Sequence, residues 1–372
     1  MNKSGVYVHI PFCVKKCAYC DFVSYENRTA EAPRYTDAVL REAAAYRGTA
    51  VDSIYIGGGT PTALPPGQLV RLLAGLFDIF TVAPQAEITV EANPGTADEA
   101  YFAALAAAGV NRLSLGVQSF CDDELSALGR IHSAKEAEAA VRAAYTAGIF
   151  NLSLDLMFSI PRQTQKSLQK SLETAVSLPI SHISCYSLTI CENTPFGRLV
   201  KEGQMPLPDE DTDRAFYTQI CEFLDKNGLA RYEISNFARP GREARHNTKY
   251  WRRVPYIGLG AAAHSFWENR RFENPPQTEA YYAVVYGAKE RSGEVISPAD
   301  AMSEFMFLGL RMTREGISSA AFAKAFGTEL DAVYGRQIEK LLRLGLLEKE
   351  GDRLRLTGRG IDVSNSVFCE FV

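Results

Sequence analysis

Several things are missing from this chain of 372 residues, and each absence removes a class of function. No stretch reaches the roughly 18 consecutive apolar residues that a membrane helix needs. The start carries Lys3 and no long apolar run before Lys15-Lys16, which reads against a secretory signal. Neither charge sign dominates: 44 acidic against 40 basic side chains leave −4, too little to draw nucleic acid or an anionic membrane to the whole chain. No glycine run ends in Gly-Lys-Ser/Thr, so there is no phosphate-cradling loop of that kind. Repeats of solenoid period and low-complexity tracts are absent too. The eight cysteines form no paired framework, which argues against a disulfide scaffold and for a reducing, cytoplasmic setting. What is present, 46% hydrophobic and 23% charged residues, suffices for a large core and more than one domain.

The first two thirds alternate β-rich runs with longer Ala-, Leu- and Glu-rich helical ones. Strands are predicted over 6–10, 53–56, 87–91, 112–115, 152–157 and 182–188, and such alternation implies a parallel sheet. Pattern alone does not separate an open sheet from a barrel. Polar residues recur at or just after strand ends: Gly57-Gly58-Gly59-Thr60, Glu91, Gln118 and Asp155. Ligands of parallel α/β folds bind at those carboxyl ends. The rhythm changes near Pro206. Residues 216–302 read as a loop-rich connection, and 303–372 as helices followed by a hairpin at Glu350-Gly351-Asp352, a small winged-helix-like domain. Ten basic and nine acidic residues over 305–372 give it no DNA-binding face, and a packing or lid role is expected. The expected division is 1–215, 216–302 and 303–372.

The densest chemistry is Cys13, Cys17 and Cys20. Three thiolates on one short loop can hold three irons of a [4Fe-4S] cluster and leave the fourth open. Zinc, with His9 as a further ligand, and inert thiols are the competing readings. On the strand before this loop, Tyr7 and His9 share one face and Val6, Val8 and Ile10 the other. The first pair is expected to face the interior, either as ligand contacts or as satisfied core groups. The glycines of 57–59 let backbone approach a ligand closely, although a tight turn would use them equally. Glu91, Gln118, Arg130 and Asp155 are individually ordinary. Together they fit one ligand that carries hydroxyls, an ammonium and a carboxylate.

The spacing Cys13-x3-Cys17-x-Tyr19-Cys20 resembles the radical S-adenosylmethionine (SAM) superfamily. That resemblance implies that the open iron chelates the methionine part of SAM, and that Gly58, Gly59 and Thr60 meet its amino group. It also makes Tyr7, Glu91, Gln118, Arg130 and Asp155 SAM contacts. Tyr7-Val-His-Ile-Pro-Phe-Cys13, Gly57-Gly-Gly-Thr-Pro61, Gly116-Val-Gln-Ser-Phe120, His246-Asn-Thr-Lys-Tyr-Trp251, Ala263-His-Ser-Phe266 and Ser364-Asn-Ser-Val-Phe368 extend the resemblance to the coproporphyrinogen III oxidase-like branch. A partial (β/α)6 TIM-like barrel with a small C-terminal domain is implied. Phe22 stands where the decarboxylating members carry another cysteine, and the first cluster cysteine comes early, at 13. Both features resemble the heme-chaperone members. For those the resemblance implies heme bound through His246 and passed to an apo-hemoprotein of the respiratory chain, with a possible homodimer. A histidine capping a loop is the plainer reading of His246. Nine basic residues against four glutamates over 228–275 suit heme propionates. The alternative is an enzyme that decarboxylates coproporphyrinogen III; no catalytic side chain is assigned. Ser159 and Arg162 depart from the family, which usually has glycine there.

Overall fold

The computed structural model describes residues 3–289 and 291–372. Six strands, β1 (Ser4–Ile10), β2 (Ala50–Gly58), β3 (Thr81–Ala92), β4 (Arg112–Gln118), β5 (Asn151–Phe158) and β6 (His182–Ser187), lie side by side in chain order. All five pairings are parallel. Each crossover carries a helix: Ala32–Ala43, Pro66–Ile79, Glu99–Ala107, Ala134–Thr146 and Gln165–Ser177. Right-handed crossovers whose order never reverses put every helix on one face. The other face is left to close on itself as an incomplete barrel.

Strand alternation divides the side chains accordingly. Val6, Val8, Ile54, Ile56, Val90, Leu113, Leu115, Leu152 and Leu154 are fully buried toward the helices, each contributing about 1.5–3 kcal/mol by leaving water. Tyr7, Tyr55, Glu91, Ser114, Asp155 and Ser184 take the inner face, with Glu91 beside Ser114 and Asp155 beside Ser184 in register.

Residues 230–295, expected as loop, instead extend the sheet at both edges. β7 (Ala230–Glu233) and β8 (Asn236–Ala238) add antiparallel strands beyond β6. β9 (Tyr256–Leu259) pairs parallel with β1, and β10 (His264–Trp267), β11 (Arg270–Glu273) and β12 (Gly293–Val295) continue antiparallel beyond it. The sheet has twelve strands in the order β12-β11-β10-β9-β1-β2-β3-β4-β5-β6-β8-β7. The added strands are three or four residues long, too short to show alternation. Buried Glu42 ties this edge to the first helix, accepting from Gly260 N (2.9 Å), Asn274 Nδ2 (2.8 Å), Tyr281 OH (2.8 Å) and Arg291.

The C-terminal unit packs helices Pro298–Leu310, Ser319–Phe326 and Leu330–Arg343 over a hairpin of Leu347–Glu350 and Arg353–Leu356, with Ile317–Ser318 as third strand. Its own core includes Met306, Leu310, Phe322, Leu341 and Leu354. The winged-helix-like arrangement expected is present; its first helix begins at Pro298, ahead of the expected boundary. Among the described residues no helix is long and apolar enough to cross a membrane.

Ser159 and Arg162 follow β5 at φ 59° and 67°. The left-handed backbone that explains glycine at these positions is kept without it, although an L side chain costs roughly 1–2 kcal/mol there. Ser159 gains a hydrogen bond to Asp213, whereas Arg162 is exposed. Arg162→Gly should therefore raise the unfolding free energy by about 0.5–1 kcal/mol, measured by urea denaturation. A loss of stability would show that the side chain is needed for more than this turn.

Candidate functional site

The loop after β1 begins with Phe12–Cys13, which pairs with Tyr25–Glu26 and closes the loop at its base. Tyr25 N donates to Pro11 O (2.8 Å) and Cys20 N to Cys17 O (3.1 Å). The loop carries Cys13, buried, and Cys17 and Cys20, half-buried, none in a disulfide. The turn after β2 is stitched against it: Gly59 N donates to Ile10 O (2.8 Å) and Thr60 N to Phe12 O (2.8 Å). A Cβ on Gly59 would stand 2.8 Å from Phe12 O and 3.0 Å from Cys13 Sγ, so only glycine permits this approach.

All three thiols line one cavity of about 610 Å³ at the carboxyl ends of the strands. Thr60 Oγ1 donates to Cys13 Sγ (3.6 Å) and Arg130 Nη1 to Cys17 Sγ (3.3 Å). Arg130 Nη2 also donates to Asn93 Oδ1 (2.6 Å) and Gly116 O (2.6 Å), while its Nε is buried without an acceptor. Burial pushes the Cys13 and Cys20 thiols above their ordinary pKa; metal binding would displace those protons. Among the described residues no three His, Cys, Asp or Glu side chains converge on a point suited to one ion. A four-iron cluster asks for something else, one thiol at each of three corners, and the three loop thiols suit that donor set.

Deeper in the same cavity lie two carboxyl groups. Glu91 accepts from Tyr55 OH (2.6 Å) and Gly58 N (3.1 Å). Burial, with Asp155 nearby, nevertheless pushes its pKa up to about 7. Asp155 accepts from Ser114 Oγ (3.0 Å) and is likewise raised by burial. Gln118 sits at a bulge in β4 at φ 69°, its Oε1 accepting from Tyr186 OH (3.0 Å). Soft sulfur donors at the mouth and carboxylates below suit a metal cluster and a cationic, hydroxyl-bearing ligand.

Cys13, Cys17, Cys20, Gly58, Gly59, Thr60, Glu91, Gln118, Arg130 and Asp155 thus come together. Two expected residues do not join them. Tyr7 lines a neighbouring cavity, its hydroxyl 3.0 Å from Nδ1 of His9, whose Nε2 donates to Val23 O (2.8 Å) and props the cysteine loop. His246 is 0% exposed. Its Nδ1 lies 3.0 Å from Ser53 Oγ and its Nε2 2.8 Å from Tyr250 OH, and burial pushes its pKa down to about 3. Both ring nitrogens are taken by protein, so axial ligation of a heme would require the ring to leave its packing. Tyr55, Asn93 and Tyr186 are additions. Tyr55 was open to inference, lying two residues before Gly57 on the same inward face.

Fold and site define a radical SAM protein. Residues 7–175 match the radical SAM superfamily and residues 296–363 the HemN C-terminal domain. The heme chaperone HemW of Bacillus subtilis (strain 168) is 36% identical over 375 residues, covering 99% of this chain and 99% of its own. That of Escherichia coli (strain K12) is 35% identical over 377 residues, covering 99% and 98%. The E. coli coproporphyrinogen III oxidase (HemN), described as a radical SAM enzyme, superposes with a TM-score of 0.86 at 23% identity, covering 100% of this chain and 90% of that one; this likeness concerns the fold. The chain belongs to the HemW family of radical SAM proteins, and superfamily membership implies a [4Fe-4S] cluster and SAM.

Glu91 holds its proton more tightly in the folded chain than in the unfolded one. Its stabilising contribution is complete below pH 4.5 and is lost as the pH rises through about 7. Ligand-free wild type, compared with Glu91→Gln, should therefore lose up to about 3 kcal/mol of unfolding free energy across that interval. Urea unfolding of both proteins at several pH values measures it; a difference independent of pH would refute the shift.

Proposed function

We propose that this protein is a cytoplasmic heme chaperone that binds a [4Fe-4S] cluster and SAM, holds heme and delivers it to an apo-hemoprotein of the respiratory chain. Cys13, Cys17 and Cys20 hold the [4Fe-4S] cluster. Gly58, Gly59, Thr60, Glu91, Gln118, Arg130 and Asp155 form the SAM pocket. When bound, a cluster with an open iron supplies a chelation point for the amino and carboxylate groups of SAM and a source of one electron.

The chain's own residues account for the rest. Arg130, 3.3 Å from Cys17 Sγ, places a fixed cation beside a thiol that gives up its proton on binding iron. Burial raises Glu91 to about 7, so a proton shares the group when the pocket is empty and a cationic ligand drives it toward the ionised form. Gly57 leaves room for that carboxyl: a Cβ there would fall 2.7 Å from it.

One observation carries the reading. Three thiols and two half-buried carboxyls share one cavity in a chain whose relatives, 36% and 35% identical and matched over nearly their whole lengths, are named heme chaperones. Phe22 supports it, being 69% exposed at the cavity mouth where the decarboxylating branch has a further cysteine.

The test uses anaerobically reconstituted protein given heme or coproporphyrinogen III, with SAM and a reductant. Stoichiometric heme uptake and transfer to an apo-cytochrome, with no decarboxylated product, is expected. Turnover of coproporphyrinogen III would replace the chaperone with the enzyme. Cys17→Ala should lose cluster iron while keeping the fold, read by iron analysis and circular dichroism.

A further inference from the structure

Cys17 is reached from two sides. One is the cavity it shares with Cys13 and Cys20. The other is a narrow recess between the cysteine loop and residues 129–131, lined by Cys17 together with Val14, Lys15, Arg130 and Ile131. Lys15 is exposed, and so are the two aliphatic side chains, Val14 at 51% and Ile131 at 53%. Two cations and no carboxylate line this recess. A group bonded to Cys17 Sγ stands directly behind it.

Lys15, Arg130 and Ile131 also line a wider, open recess of about 360 Å³ over residues 129–133. His132 faces it and is 5% exposed. Its Nε2 donates to Val117 O (3.1 Å), and its Nδ1 is buried without a partner. Burial, with Arg130 nearby, pushes the imidazole down to about 4, so Nδ1 is an acceptor waiting for a donor. The two carboxylates of this recess are already engaged. Asp122 accepts from Ala134 N (2.8 Å), and Glu136 accepts from Ser133 N (2.8 Å) and Ser133 Oγ (2.7 Å).

Both recesses are shallow and lie on the outside, which suits a protein rather than a small molecule. Exposed aliphatic side chains beside unpaired positive charge fit a brief, electrostatically steered encounter. Electron-transfer complexes are of that small, transient kind. Electron transfer also falls steeply with distance, so a donor gains most by docking over a thiol that reaches the surface.

Given that Cys17 holds the cluster, we propose that residues 14–15 and 129–133 are the docking surface for a small acidic flavoprotein that delivers single electrons to it. Val14 and Ile131 meet the apolar dimethylbenzene edge that a surface-bound flavin mononucleotide presents. Lys15 pairs with a carboxylate of the carrier, and His132 Nδ1 accepts from one of its N–H or O–H groups. The flavin is oxidised by one electron and the cluster beyond Cys17 is reduced by one; no covalent bond forms or breaks. The SAM side of the cluster stays free throughout, because the carrier approaches from the other side of Cys17.

The test uses an acidic flavodoxin as the carrier, with cluster-loaded wild type, Lys15→Glu and Ile131→Glu. Both positions are exposed, so the variants keep fold and iron content, checked by circular dichroism and iron analysis. Oxidised flavodoxin should bind wild type, more weakly as salt is raised, and each variant should bind it roughly tenfold or more weakly. The hydroquinone should reduce the wild-type cluster faster than either variant's by a similar factor, read by stopped-flow absorbance, whereas dithionite should reduce all three alike. Flavodoxin that binds and reduces the three proteins equally would overturn the docking surface. Reduction by an acidic ferredoxin and not by flavodoxin would overturn the choice of carrier. A wild type that takes up no cluster would overturn the role of Cys17 itself, and the docking surface with it.

Discussion

Sequential parallel strands joined by right-handed crossovers cannot cover both faces of a sheet, and that constraint shapes everything at the centre of this protein. The uncovered face curls inward and must be filled by the chain's own side chains or by a ligand. Here it is filled with groups that are expensive to bury. Glu91 and Asp155 lie within it, and the fold supplies Tyr55 OH, Gly58 N and Ser114 Oγ to offset part of the cost. The remainder appears as raised carboxyl pKa values, Glu91 to about 7 and Asp155 above its ordinary value. A cationic ligand is what such an interior accepts most readily.

The cysteine loop has no hydrophobic core of its own and takes its shape from its neighbours. The turn after β2 donates two backbone hydrogen bonds to it, His9 supports it at Val23, and Arg130 reaches across from beyond β4 to Cys17. The same arginine also grips Asn93, and Asn93 Nδ2 donates to Thr60 Oγ1 (2.8 Å). Cys13, Thr60, Asn93, Arg130 and Cys17 therefore belong to one hydrogen-bonded unit. The polar groups of such a network act together, and the loss of one leaves others unsatisfied.

Much of this was legible before the fold was seen, for identifiable reasons. Cys13, Cys17 and Cys20 lie within one loop, and Glu91 and Asp155 sit at strand ends that alternation locates. The strands of 230–295 were not legible, because runs such as Asn236–Ala238 are too short to carry a period. Tyr7 was placed on the inner face correctly, yet which of two adjacent cavities it meets depends on β9, whose partnership with β1 nothing local announces. His246 shows the limit most clearly. The residue stood out, but its burial is decided by Ser53, 193 positions away. Conversely Ser159 and Arg162, which depart from the family's glycines, keep the left-handed backbone and bear its strain.

The central claim is that three loop thiols hold a cluster with one iron left for SAM. Mössbauer spectroscopy of protein reconstituted anaerobically with isotopically enriched iron, before and after adding SAM, tests it most directly. The account predicts a cubane cluster in which one iron site changes its isomer shift and quadrupole splitting when SAM is added, while the other three do not. Four equivalent irons indifferent to SAM, or a protein that takes up zinc and no iron, would contradict it.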